Sequence, residues 1–225
     1  GTRRMYIYLT GVSSTVYSHS GAASAATTVR QLTIATSVLQ PKAAGNDLYF
    51  QESAPSFEVY KSVGGLVGGQ IRDDAAASIA GLVTTIPGTS KMYFYLNAAN
   101  SKIFSHSGAA GSSTLVDTTT PGNVVAANPK VVSNDLYYQL NVDLIVKKSE
   151  NGVLATEVLD DATAPFTAAV TFIPATTKMY FYKTAANSKV YSHSGATTTN
   201  STPIRTVTAA NTVTGATIVG DDLYF

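Results

Sequence analysis

The chain repeats itself with a period of 87 residues, and this confines it to a tandem of small modules more firmly than any other feature. Lys91-Met92-Tyr93-Phe94-Tyr95 returns as Lys178-Met179-Tyr180-Phe181-Tyr182, and an earlier copy reads Arg4-Met5-Tyr6-Ile7-Tyr8. Residues 91–110 and 178–197 agree at 15 of 20 positions, and residues 4–23 agree with 91–110 at 11 of 20. A Ser-His-Ser-Gly run follows each copy and holds the three histidines of the chain, His19, His106 and His193. A second marker, Asn46-Asp47-Leu48-Tyr49-Phe50, recurs as Asn134-Asp135-Leu136-Tyr137-Tyr138 and closes the chain as Asp221-Asp222-Leu223-Tyr224-Phe225. With Gln51, the first copy resembles an engineered protease site, but its recurrence makes it part of the repeat.

Between the second marker and the next Met lies a different segment, present twice. Its landmarks are Asp73-Asp74 with Asp160-Asp161 and Ile86-Pro87 with Ile173-Pro174. With A for the Met-to-Leu-Tyr part and B for the remainder, the chain reads A-B-A-B-A. Cutting at Met places repeat 1 at 1–91, repeat 2 at 92–178 and a half repeat at 179–225, or 2.5 copies.

Strand signals dominate. In Met92-Tyr93-Phe94-Tyr95 the period-two alternation puts Met92 and Phe94 on one face and the two Tyr rings on the other. Asn97-Ala98-Ala99-Asn100 reads as a turn into Lys102-Ile103-Phe104-Ser105-His106. Phe57 to Tyr60 is expected to meet Leu66-Val67 across Gly64-Gly65, and Leu144 to Val146 to meet Val153-Leu154 across Asn151-Gly152. Both dipeptides suit the positive φ angles of a tight hairpin turn. Ala169 to Ile173 reads as a strand stopped by Pro174, which cannot donate to a ladder. Asp73 to Ala77 allows one short helical turn. The Ala/Thr/Ser-rich stretches 109–133 and 196–219 keep β-branched residues and are expected to be loops and irregular edge strands. About six or seven short strands per repeat give an all-β expectation, tandem small β-sandwich modules of immunoglobulin-like size.

Composition excludes several function classes. Fifteen Lys and Arg against 14 Asp and Glu leave a net charge of +1, without the basic clusters that phosphate binding requires. No partner nucleic acid is expected. The absence of Cys removes disulfides, thiolate metal sites and cysteine nucleophiles. No apolar run reaches the roughly 20 residues of a spanning helix, and no membrane insertion is expected. Phe225 would suit an outer-membrane barrel strand, but the segments lack its sustained ten-residue alternation. Gly1 stands in place of an initiator Met and no signal-type apolar stretch follows, which leaves processing, export and a longer parent chain open.

The Ser-His-Ser-Gly runs pair a potential nucleophile with a potential base. Neighbours on a strand point to opposite faces, so Ser105 and His106 are poorly placed to share a proton. A structural role is favoured, with His capping a hairpin or packing on a Tyr face. The catalytic and metal expectations are both none, because one imidazole per 87 residues would need distant modules to converge. The Asp pairs 73–74, 160–161 and 221–222 contain carboxylates of the kind calcium prefers, yet no spaced ligand loop, and read as turn formers. Asn200-Ser201-Thr202 is a lone glycosylation sequon. The candidate binding residues are Tyr93, Tyr95, Tyr180 and Tyr182, whose rings could pack between modules or subunits or stack against sugars. No cofactor is expected.

A copies outnumber B copies by one, and an A segment alone is small for independent stability. The expectation is an obligate assembly in which terminal A modules, above all residues 179–225, lie in subunit contacts. The resulting functional expectation is a non-enzymatic structural protein of a repetitive assembly, a capsid-decoration, tail or fibre component of a virion. The alternatives are a cell-surface filament or sheath subunit and a carbohydrate-binding adhesin. Its partners would be itself and other subunits, with a glycan as the other ligand, and its location virion or cell surface.

Overall fold

The computed structural model describes residues 4–9, 13–21, 23, 25–72, 84–85, 92–97, 99–106, 111–126, 129–132, 134–159, 168–172, 179–182, 189–193, 201–207, 211, 213, 216–219 and 222–225. Among these residues the regular structure is entirely β. The first A segment forms β1 (Met5–Leu9), β2 (Thr15–His19), β3 (Thr27–Gln31), β4 (Val38–Ala44) and β5 (Asp47–Glu52). The first B segment forms β6 (Val59–Ser62), β7 (Gly69–Arg72) and β8 (Thr84–Thr85). The second A contributes β9 (Met92–Asn97), β10 (Ser101–His106), β11 (Thr114–Thr118), β12 (Lys130–Val132) and β13 (Asp135–Gln139). The second B contributes β14 (Val146–Ser149), β15 (Thr156–Leu159) and β16 (Ala168–Phe172). The third A repeats the five-strand pattern as β17 (Met179–Tyr182), β18 (Lys189–His193), β19 (Thr202–Thr206), β20 (Thr217–Val219) and β21 (Asp222–Tyr224).

Each described sheet is an antiparallel meander in chain order. Four have four strands (β4–β7, β8–β11, β12–β15 and β16–β19), β1–β3 has three and β20–β21 two. Every four-stranded sheet therefore mixes A and B. The last two strands of an A join the first two of the following B, and the last strand of a B joins the first three of the next A. The cut at Met92 runs through the β8–β11 sheet, because β8 precedes it. The Greek-key crossover of an immunoglobulin-type sandwich is not present among the described residues.

The chain divides into two compact units, residues 1–98 with 102–115 and residues 99–101 with 116–225. In the first, β5 has both faces covered, which explains why Leu48, Tyr49 and Phe50 are consecutive large apolar residues instead of an inside–outside alternation. Leu48 and Phe50 pack with Val16, Val29, Leu32, Val38 and Tyr60 on one side. Tyr49, one residue out of phase, packs on the other side with Val59, Ile71, Met92, Phe94 and Phe104. Sheets are also tied by backbone bonds: Gly68 N–H donates to Val29 C=O (3.0 Å) and Ser113 N–H to Ile71 C=O (2.8 Å). The second unit repeats the device, with Ala155 N–H on Val116 C=O (3.3 Å) and Ser201 N–H on Val158 C=O (2.7 Å).

Both expected hairpin turns are present. Gly64 and Gly65 have φ of 55° and 80°, and Asn151 and Gly152 have 51° and 81°, as a type I′ turn demands. At Gly65 a side chain is also excluded by space, since a Cβ would lie 2.5 Å from Arg4 Nη1 and 2.7 Å from Ser18 Oγ. The flanking strands are displaced from the expectation. Phe57 and Leu144 have positive φ, 50° and 60°, which delays β6 and β14. Leu66 and Val153 accept hydrogen bonds from Ser62 Oγ and Ser149 Oγ at 2.7 and 2.6 Å, so the apolar pairs 66–67 and 153–154 belong to the tips and not to strands. Stretches 109–133 and 196–219 contain β11, β12, β19 and β20, each at an edge of its sheet, and the β18–β19 pairing shifts register between Val190 and Tyr191. Asp73-Asp74, Asp160-Asp161, Asp221, Pro87, Ile173-Pro174 and Asn200 lie outside the described residues.

Candidate functional site

The two sequence markers meet in space. β10 ends on His106, whose Nδ1 lies 3.1 Å from the Tyr49 hydroxyl of β5 and whose Nε2 lies 2.9 Å from Gly111 C=O. A carbonyl can only accept, so Nε2 carries the hydrogen and Nδ1 accepts from the Tyr49 O–H. The rings meet edge-on, with centroids 5.7 Å apart and planes at 75°. Asp47, two residues before Tyr49 and on the same face of β5, forms an ion pair with Lys61 of β6 at 2.9 Å. Its other oxygen accepts from Gly64 N–H at 2.9 Å, and the Lys61 ammonium sits 5.2 Å from the Tyr49 ring centroid. One buried cluster thus joins strand, turn and neighbouring sheet.

The second unit holds the same cluster. Tyr137 and His193 are 3.3 Å apart through hydroxyl and Nδ1, with ring centroids at 5.8 Å and planes at 74°. Lys148 pairs with Asp135 at 2.8 Å, and Asn151 N–H donates to Asp135 Oδ1 at 3.1 Å.

Burial favours the neutral forms of His106 and Tyr49. Burial pushes the His106 pKa below its ordinary value, and the nearby Lys61 pushes in the same direction. Burial also raises the Tyr49 hydroxyl well above the normal phenol range. The imidazole stays neutral and the phenol keeps its proton, which is the state their hydrogen bond requires. His106 is 3% exposed. Among the described residues no three His, Asp or Glu side chains converge as a metal site would require.

Tyr93, Tyr95 and Tyr182 are buried, at 2%, 9% and 8% exposure, and Tyr180 is half-buried. The repeated Tyr rows therefore lie largely within the packed interior. Their first copy differs. Tyr8 is 46% exposed, and Tyr6 donates its hydroxyl to Asn46 C=O at 2.6 Å. These two rings line a groove of about 250 Å³ with Arg4, Val16, Val38, Pro41 and Leu48.

Reasoning from sequence singled out the histidines but missed Lys61 and Lys148, and it did not join His106 to Tyr49. The available signal was positional. Both lysines fall on the 87-residue period, inside strands where an unpaired Lys is costly.

No protein-family model matches the chain, and no curated protein matches its sequence. Among solved structures, it is similar to YCF48 from Cyanidioschyzon merolae, with 9% identity over 84% of this chain and 64% of that one, at a TM-score of 0.48. It is also similar to apo prolyl oligopeptidase B from Galerina marginata, with 14% identity over 89% of this chain and 31% of that one, again at 0.48. The chain spans less than two thirds of either protein's length. At this level of similarity, the architecture is read from the chain's own sheets.

Proposed function

We propose that the protein is a non-enzymatic structural repeat protein of a large assembly, a virion component such as a capsid-decoration, tail or fibre protein. A cell-surface filament or sheath subunit is the alternative setting. Its modules are better described as propeller-type blades, four antiparallel strands in sequential order, than as immunoglobulin-type sandwiches. One observation carries the reading: His, Tyr, Lys and Asp, the side chains most capable of chemistry, are committed to holding sheets together inside the protein, in both copies of the same cluster. Low charge and Ala/Thr-rich strands support a scaffold, and the virion setting rests on compositional analogy. Purified protein is expected to sediment as an oligomer and to show filaments, shells or regular particles by electron microscopy. A monodisperse monomer across micromolar concentrations would remove the assembly reading.

The groove beside Tyr6 and Tyr8 favours a second reading, a glycan-binding protein, because an exposed Tyr ring with a guanidinium nearby suits a sugar face and its polar rim. A glycan array with wild type and Tyr8→Ala tests it. Binding that is lost in the variant supports this reading, and a blank array removes it.

A further inference from the structure

We propose that Asn151 is a self-modifying site, where the chain turns its own asparagine into aspartate and isoaspartate and so loosens the buried cluster of the second unit alone. Asn151-Gly152 is the single Asn-Gly step in the sequence. It forms the tip of the β14–β15 hairpin, where Asn151 is exposed and Val153 and Leu154 are 60% and 72% exposed. The corresponding tip of the first unit is Gly64-Gly65, which has the same positive φ angles and no side chain to react.

The chemistry needs only the chain and water. The backbone nitrogen of Gly152 attacks Cγ of Asn151. An N–Cγ bond forms, the Cγ–Nδ2 bond breaks, and the proton displaced from the nitrogen leaves with the side-chain amide as ammonia. Water then opens the five-membered imide. Addition at Cγ restores the chain with an aspartate side chain. Addition at the backbone carbonyl carbon leaves isoaspartate, in which the chain runs through Cγ. Glycine favours ring closure, because it has no Cβ to hinder the attacking nitrogen or the swing of the peptide plane toward Cγ. The closed turn is held by Val153 N–H on Glu150 C=O at 3.0 Å and by Ser149 Oγ on Val153 C=O at 2.6 Å. Both bonds are local to the tip, so the plane swings through brief opening of the hairpin end and not of the whole sheet.

The product bears directly on the cluster. Asn151 N–H donates to one oxygen of Asp135 at 3.1 Å, and the other oxygen pairs with Lys148 at 2.8 Å. Either product adds a carboxylate to a tip that already carries Asp135 and Glu150, the latter 3.8 Å from the Lys148 ammonium. Like charges gathered there repel. Isoaspartate also lengthens the turn from which the N–H reaches Asp135. In the first unit Gly64 N–H makes the equivalent bond to Asp47 at 2.9 Å, from a turn that cannot change in this way.

The test incubates the full chain in mildly alkaline buffer and follows each asparagine by peptide mass spectrometry. Asn46 and Asn141 are also exposed but precede Asp47 and Val142, which makes them internal references. Conversion at Asn151 is expected to run at least roughly tenfold faster than at either, and the site should be silent in Asn151→Gly, which copies the turn of the first unit. Hydrogen exchange across β14 and β15 is expected to be roughly tenfold faster in the converted protein, with β6 and β7 unchanged. Conversion at Asn151 no faster than at Asn46 and Asn141 would overturn the site. Conversion that leaves exchange in β14 and β15 as it was, or that speeds it equally in β6 and β7, would overturn its action on the second cluster.

Discussion

In the first unit Arg30 of β3 pairs with Glu52 at 3.0 Å, bonds the Tyr60 hydroxyl and lies over the Tyr60 ring. At the same repeat position, 87 residues on, stands Asp117 of β11, which takes Lys147 at 2.8 Å and the Tyr138 hydroxyl at 2.5 Å. The cation has become an anion, and its partners have exchanged with it: Tyr60 corresponds to Lys147, and the acid at 52 to Leu140. The Asp–Lys–Tyr–His cluster shows no such freedom, with the same four residue types in both units. The first contact needs only local neutrality, which either polarity provides. In the second, the members form a chain, Asp47 to Lys61 to Tyr49 to His106, so changing one disturbs the next in a buried setting. Burial of the cation separates the two: the Lys61 and Lys148 side chains are 1% exposed, against 29% for Arg30 and 22% for Lys147.

The sharpest way to break the comparison is to remove an anion from the fixed cluster. Asp47→Ala leaves Lys61, 1% exposed, buried without its counter-charge, and the expected loss is about 3–5 kcal/mol. Asp135→Ala should cost less, since the equally buried Lys148 keeps Glu150 at 3.8 Å as a second counter-charge. Replacing the pair together by Asp47→Leu and Lys61→Met should recover most of the loss in urea titrations, because an apolar pair has no charge to desolvate. Equal losses in the single and double variants would mean that the turn contact to Gly64, and not the ion pair, is what matters.

The swapped site should tolerate what the fixed one does not. Asp117→Arg places a guanidinium beside Lys147 and removes the acceptor of Tyr138, with an expected cost of about 2–3 kcal/mol. Adding Lys147→Glu restores the polarity of the first unit and should return at least half of that stability in a double-mutant cycle. No coupling between the two changes would show that the reversed signs in the two units are unrelated.

How far these contacts were legible in sequence follows from what period-two reasoning can see. Alternation and turn chemistry identified the strands around Met92 and Lys102 and the Gly64-Gly65 and Asn151-Gly152 turns, because those signals are local. The same logic put Tyr93 and Tyr95 on the second face of the strand without saying what covers it, and a sheet covered on both sides buries both rings. Nothing in a single strand reports that a second sheet lies behind it. The partnership of Tyr49 with His106 spans 57 residues and was hidden for the same reason. Only the copy-to-copy comparison exposes it, through the shared period of Asp, Tyr, Lys and His.

The smallest effect isolates the histidine. His106→Phe keeps an aromatic edge against Tyr49 but leaves the Tyr49 hydroxyl without its acceptor, at an expected cost of about 1–2 kcal/mol near neutral pH. The cost should shrink in acid, and the sign follows from linkage. Burial depresses the pKa of folded His106 below the unfolded value of about 6.5, so on acidification the unfolded chain takes up the proton first. His106 therefore contributes fully above that value, and stability falls as pH drops from about 6.5 toward the folded pKa. The variant lacks this proton uptake, so the two stability curves should converge below pH 6.5 in matched urea titrations. Curves that remain parallel through that range would mean the imidazole is protonated as easily in the fold as out of it. The Tyr49–His106 contact would then be a packing contact like any other, and the fixed identity of the cluster would have to rest on its Asp–Lys pair alone.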